Sequence, residues 1–167
     1  MAKRTVIVVH GAFVTRDRPG MWRRGIVASM LLGAASGLRS QLGVAAVVAR
    51  ADSSLPQILR RPLTRRLLMV AAAGELIADK LPATPSRLAP PGIASRLLLG
   101  ALAAGLFAET QRAPWRPAAA IGATSAALAA KLGHDLRARL ARHAPDPAVA
   151  VVEDAVAVGL AAAGVSL

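Results

Sequence analysis

From Leu97 to Ala108 the chain reads LLLGALAAGLFA, a stretch with no polar side chain on any face of a helix. A helix apolar all round is either central in a large core or in contact with lipid. A chain of 167 residues makes about one domain, and only one or two helices of such a domain can be fully enclosed. Most of four further segments read the same way, so the expected architecture is all-α: an integral membrane bundle of about five transmembrane helices.

Composition agrees with lipid as the solvent. Hydrophobic residues make up 54% and charged residues 18%, against roughly 25% charged in soluble domains. Aromatics are only 2%, and the apolar mass is Ala, Leu, Val and Gly. Alanine buries little area and stabilises a water-excluded core poorly. The net charge of +12 would suggest nucleic acid on a soluble domain. Here the arginines cluster between apolar runs, as at Arg60, Arg61, Arg65 and Arg66, where they serve as headgroup contacts and topology signals. The expected partner is therefore the lipid bilayer and not nucleic acid, with homo-oligomerisation left open. The absence of cysteine removes disulfides and thiolate chemistry.

Five segments are expected to span. Helix A covers Gly25 to Val48, B Pro62 to Leu81, C Gly92 to Ala108, D Pro117 to Leu132 and E Pro147 to Leu167. C and D fall short of the ~20 residues a spanning helix needs, and are expected to snorkel through Arg96, Arg112, Arg116 and Lys131. Pro82, Pro85, Pro90 and Pro91 break the chain between B and C, and Pro114 and Pro117 flank Trp115 in the C–D turn. Residues 1–20 read as an N-terminal extension to a transmembrane domain of 21–167. Lys3-Arg4 and the short apolar run after them lack the length and cleavage site of a signal peptide.

Small residues recur every four positions at Ser29, Gly33 and Gly37 in A, and at Ala118, Gly122, Ala126 and Ala130 in D. Such ridges let helix backbones approach closely in lipid. Leu31 and Leu32 are expected on the lipid side of A. Gly33-Ala34-Ala35-Ser36-Gly37 echoes Gly122-Ala123-Thr124-Ser125-Ala126, and Glu75 in B has a counterpart in Glu153 in E, which suggests an inverted repeat of helical hairpins.

Charges inside such segments are costly, and function is their default explanation. Arg39 lies within A. Glu75 and Asp79 share a face of B at i and i+4, with Lys80 beside them. Arg96 lies in C, His134 and Arg137 follow D, and Glu153 and Asp154 interrupt E. Counting at 1.5 Å per residue places Glu75 and Glu153 about 9 Å from the membrane face that holds the N-terminus, and Arg39 roughly 21 Å from it. These residues are expected to line one polar vestibule; the competing reading is separate charges snorkelling to headgroups. Carboxylates and one histidine without a tight motif do not make a metal site, and no cofactor is expected. Val8-Val9-His10-Gly11-Ala12-Phe13 looks like the opening of an α/β-hydrolase, but no G-x-S-x-G follows.

Gly37-Leu38-Arg39, the stretch Glu75-Leu76-Ile77-Ala78-Asp79-Lys80-Leu81-Pro82, Arg96 with Gly100, and Glu153-Asp154 resemble the domain-of-unknown-function 4126 family. The resemblance covers most of Met21 to Leu167. It implies a small membrane protein, points to these same residues, and supplies no reaction.

The leading functional expectation is permeation or transport of a small solute or ion through a charged half-membrane cavity. A structural or accessory membrane subunit is the alternative, and a membrane-embedded enzyme comes third. The expected location is the cell membrane, multi-pass. Thirteen Lys and Arg on the N-terminal face against seven on the other favour a cytoplasmic N-terminus and an external C-terminus. Without the first 20 residues the balance is nine against seven.

Overall fold

The computed structural model describes residues 19–50, 52–78, 90–140 and 146–167. The extension up to residue 18, together with Asp79, Lys80, Pro82 and Pro85, lies outside them. Among the described residues the chain is all-α, with α1 Pro19–Leu38, α2 Leu42–Ala49, α3 Gln57–Arg60, α4 Pro62–Ala78, α5 Pro90–Thr110, α6 Trp115–Leu140 and α7 Asp146–Ser166. Proline opens α1, α4 and α5, where a missing N–H costs nothing and φ is already helical. The expected short helices C and D are not short: α5 has 21 residues and α6 has 26.

Helix A does not run as one rod. It ends at Leu38, turns through Arg39, Ser40 and Gln41, and restarts as α2. A methyl group built on Gly43 would lie 2.8 Å from the Leu32 carbonyl oxygen and 3.1 Å from Ala103 Cβ. In a straight helix residues 32 and 43 would be roughly 16 Å apart. The eight residues of α2 therefore fold back along α1 as a short helix.

Contacts fix the other directions. Ser29 and Ala118 line one cavity, Gly33 lies against Gly122, and Gly37 against Ala126, so α1 and α6 run parallel. Helix α5 is antiparallel to α1, because Phe107 shares the cavity with Ser29 while Arg96 reaches the Gly37 carbonyl. So is α7, with Asp154 at Arg39 and Gly164 against Leu31 and Leu32. Helix α4 starts near Ala49, through Arg65, and ends at Ser40, through Glu75. The bundle thus has a polar end at the Arg39–Gln41 turn and a tryptophan end, where α1 begins, the α5–α6 turn lies and α7 finishes.

Two expectations are corrected by these directions. An inverted repeat requires the first helices of its two halves to be antiparallel, whereas α1 and α6 are parallel. The described ends of the chain, expected on opposite faces, lie at the same end of the bundle. Both corrections have one cause: the segment read as a single helix is a helix plus a return.

Helix α1 is central, packed against α5, α6, α7 and α2. The small-residue ridges meet there. A methyl on Gly33 would come within 2.7 Å of Gly122 Cα, one on Gly37 within 2.9 Å of Ala126 Cα, and one on Gly122 within 2.6 Å of Ala104 Cβ. Beside this seam Ala28, Leu32, Val44, Val47, Val48, Leu55, Leu106 and Phe107 form the apolar core. Leu32, expected to face lipid, is fully buried, because Gly164 of α7 lies against its side chain and α2 joins it in the core.

Around this apolar core the exterior also carries large apolar side chains, with Leu98, Val70 and Val152 71%, 68% and 63% exposed, while Arg39 is the largest fully buried side chain among the described residues, at 1% exposure. Two helices, Pro90–Thr110 and Pro147–Ser166, are long and apolar enough among the described residues to cross a membrane.

Candidate functional site

A chain that reverses inside a helical bundle leaves carbonyls at the end of one helix and amides at the start of the next without partners. The carbonyl side is met by α5: Arg96 Nε donates to the Gly37 oxygen at 3.0 Å, and its Nη1 to the Gly92 oxygen at 3.2 Å. The amide side is met by α4. Ser40 N and Ser40 Oγ donate to Glu75 Oε1 at 2.7 and 2.6 Å, and Gln41 N donates to Glu75 Oε2 at 2.8 Å. Gln41, the residue that precedes α2, supplies no side-chain cap of its own. The capping carboxylate comes from a helix 35 residues away. It is favoured there by the positive end of the α2 dipole.

Arg39 occupies the corner of the turn. Its Nε donates to Asp154 Oδ1 on α7 at 2.6 Å, and the side chains are 1% and 15% exposed. Arg96, itself 5% exposed, brings Nη2 to 4.0 Å from Glu75 Oε1. Helix α7 also presents Glu153, whose Oε2 lies 3.8 Å from Arg137 Nη1 of α6. Gly133 of α6 leaves the space for this pairing, since a methyl there would lie 2.8 Å from Leu38 and 3.3 Å from Glu153 Oε1. Three arginines and three acids from four helices and the α1–α2 turn thus occupy one layer, each cation facing a carboxylate. In a low-dielectric interior such pairing offsets a desolvation cost of several kcal/mol, of order, for each ion.

Of the sequence-selected residues, the structure brings together Arg39, Glu75, Arg96, Arg137, Glu153 and Asp154. His134 stands apart, exposed on α6, and Asp79 and Lys80 lie outside the described residues. The axial offset of about 12 Å expected between Arg39 and Glu75 is absent: Glu75 bonds the residue next to Arg39. Ser40 and Gln41 are the site residues that sequence reasoning passed over. Their signal was a polar triplet, Arg39-Ser40-Gln41, inside an otherwise apolar segment.

The arrangement is a helix N-terminus of the kind that binds anions, with a hydroxyl and a guanidinium beside it and one of the chain's own carboxylates in place. No family model matches the chain, and no curated protein or solved structure matches it.

Proposed function

We propose that the chain is a multi-pass integral protein of the cell membrane that lets a small anion pass through its polar end. In this reading α1, α4, α5, α6 and α7 cross the bilayer and α2 re-enters it. The observation that carries the proposal is the Glu75 carboxylate seated on the Ser40 and Gln41 amides. Supporting the membrane half are the apolar exteriors of α4, α5 and α7, set against a fully buried Arg39. Irregular backbone at membrane depth is tolerated where protein encloses it or where it lines a cavity. Discontinuous helices of this kind carry ion and solute sites in transporters.

Charge balance sets the mechanism. With Glu75 on the amides, the Arg96–Glu75 and Arg39–Asp154 pairs each bring opposite charges together. An external anion takes the amides only when Glu75 leaves them. Ser40 and Gln41 then bind the anion, and Arg96 compensates it. Arg39 and Asp154 hold the turn in place.

A structural or accessory subunit is the second reading, favoured by the Arg39–Asp154 pair, which locks α7 to α1 whether or not anything passes. Flux in proteoliposomes loaded with chloride, nitrate or acetate separates the two. The transport reading expects efflux in the wild type, and a changed efflux rate in Glu75→Gln, whose amides have lost their carboxylate. Folded protein that carries none of these anions in either form supports the subunit reading.

A further inference from the structure

A second feature lies at the opposite end of the bundle from the charged layer. A cavity of about 280 Å³ opens between the first turns of α1, the end of α5 and the start of α6. Its walls are mostly apolar, with Trp22, Ile26, Phe107 and Ile121 among them, and its polar edge is Gln111 and Arg112. The volume falls just below the ~300–1,000 Å³ typical of pockets that enclose a whole drug-sized ligand. It accommodates part of an amphiphile.

Arg112 is held at a conformational cost. Helix α5 ends with Ala113 N donating to the Ala108 oxygen at 2.9 Å and Arg112 N to the Glu109 oxygen at 2.9 Å, the paired bonds of a left-handed helix stop. Arg112 sits at the left-handed position with φ 55°, the one non-glycine residue with positive φ among those described. Glycine takes that position without strain, whereas a side chain there costs on the order of 1 kcal/mol or more. The adjoining Arg116 lies over the Trp115 ring at 5.5 Å. Arg23 and Arg24, one turn into α1, are exposed at the same end. Trp22 and Trp115, 55% and 49% exposed, mark the level at which aromatic rings gather at a membrane surface.

We propose that this cavity is a binding site for an anionic phospholipid, resting on the membrane reading above. The phosphate bonds Arg112 at the cavity mouth, and the start of an acyl chain lies against Trp22, Ile26, Phe107 and Ile121. Charge complementarity selects the occupant, since the mouth is basic and the walls are apolar. A free anion would satisfy Arg112 and leave those walls in water.

Trp22 and Trp115 are the chain's only tryptophans, so their fluorescence reports on the site. The experiment reconstitutes the full chain in vesicles that contain either brominated phosphatidylglycerol or brominated phosphatidylcholine, whose bromines quench tryptophan on contact. The expected result is stronger quenching by phosphatidylglycerol at equal mole fraction, unaffected by millimolar inorganic phosphate. Arg112→Gly should reduce that preference about tenfold, the worth of one charge-assisted hydrogen bond. Ile121→Trp in a Trp115→Phe background, which fills the cavity, should reduce it as well. Because Arg112→Gly also relieves the left-handed strain, the variant should fold at least as well as the wild type. Equal quenching by both lipids, a preference that survives Arg112→Gly, or competition by free phosphate overturns the lipid site. Quenching by neither lipid overturns the membrane reading itself.

Discussion

Arg39 and Asp154 are joined Nε to Oδ1 at 2.6 Å across 115 residues of sequence, and the arginine is the largest fully buried side chain among the described residues. The contact ties the corner of the α1–α2 turn to α7. It also makes Asp154, and neither Glu75 nor Glu153, the hydrogen-bonding acid of Arg39 Nε.

Removing one partner of a buried pair leaves a charge stranded, at a cost of about 3–5 kcal/mol, whereas removing both is far milder. Arg39→Gln and Asp154→Asn should each lower stability in detergent by that order, and the double variant should fall well short of their sum. Coupling of Arg39 to Glu153 should be smaller, because Glu153 faces Arg137. A double-mutant cycle read by thermal unfolding checks this. Additivity between Arg39 and Asp154 would remove the pair from any account of the site.

Packing gives a sharper contrast. Gly33→Leu drives a side chain into the backbone of α6 and Gly122→Leu into that of α5, so they should prevent the α1–α6 and α5–α6 contacts respectively. Gly74→Leu and Gly159→Leu meet open space and should leave thermal stability near the wild type. Leu32→Ala should cost about 2–5 kcal/mol, the range for emptying a filled core position. A Leu32→Ala protein as stable as wild type would show that Leu32 is not packed in the core.

These contrasts mark where the sequence was legible. The helices could be read from apolar runs closed by prolines. Four-residue spacing put Ala118, Gly122, Ala126 and Ala130 on one face, and those four are the buried residues of α6. The return of α2 could not be read locally. Arg39-Ser40-Gln41 contains no glycine or proline, and the groups that satisfy the turn, Glu75 and Arg96, come from α4 and α5. Counting residues from a membrane face then failed for Arg39, because it assumed that the chain keeps going straight. The cavity at the tryptophan end was also out of reach. Trp22, Arg112 and Ile121 were each visible as residues, and only the parallel run of α1 and α6 brings them to one place.

The corrected path changes the expected topology. Among the described residues Arg23, Arg24, Arg60, Arg61, Arg112 and Arg116 are exposed toward the tryptophan end, against Lys131 and Arg139 toward the polar end. On the proposed membrane reading the positive-inside rule puts the tryptophan end in the cytoplasm. Reporter fusions after Leu167 and before Pro19 should both report a cytoplasmic location. Opposite locations for the two fusions would contradict the parallel arrangement of α1 and α6.

The final prediction separates a binding site from a helix cap. Glu75→Gln removes one negative charge from a layer in which Arg96 Nη2 lies 4.0 Å from the Glu75 carboxylate. The Ser40 and Gln41 amides lose an anionic acceptor at the same time, while the dipole of α2 and the guanidinium of Arg96 remain. A small anion from solution should fill that place and stabilise the variant by mass action, about 1.4 kcal/mol at ten times its Kd. The unfolding temperature of Glu75→Gln in detergent should therefore rise when chloride replaces gluconate at constant ionic strength. The wild type, whose amides already hold Glu75, should respond little. Adding Arg96→Gln to Glu75→Gln removes the compensating cation and should abolish the chloride response, although the protein is weaker still. If Glu75→Gln loses stability and shows no dependence on chloride, the carboxylate is a cap for α2 and nothing more, and anion passage through the polar end must be abandoned.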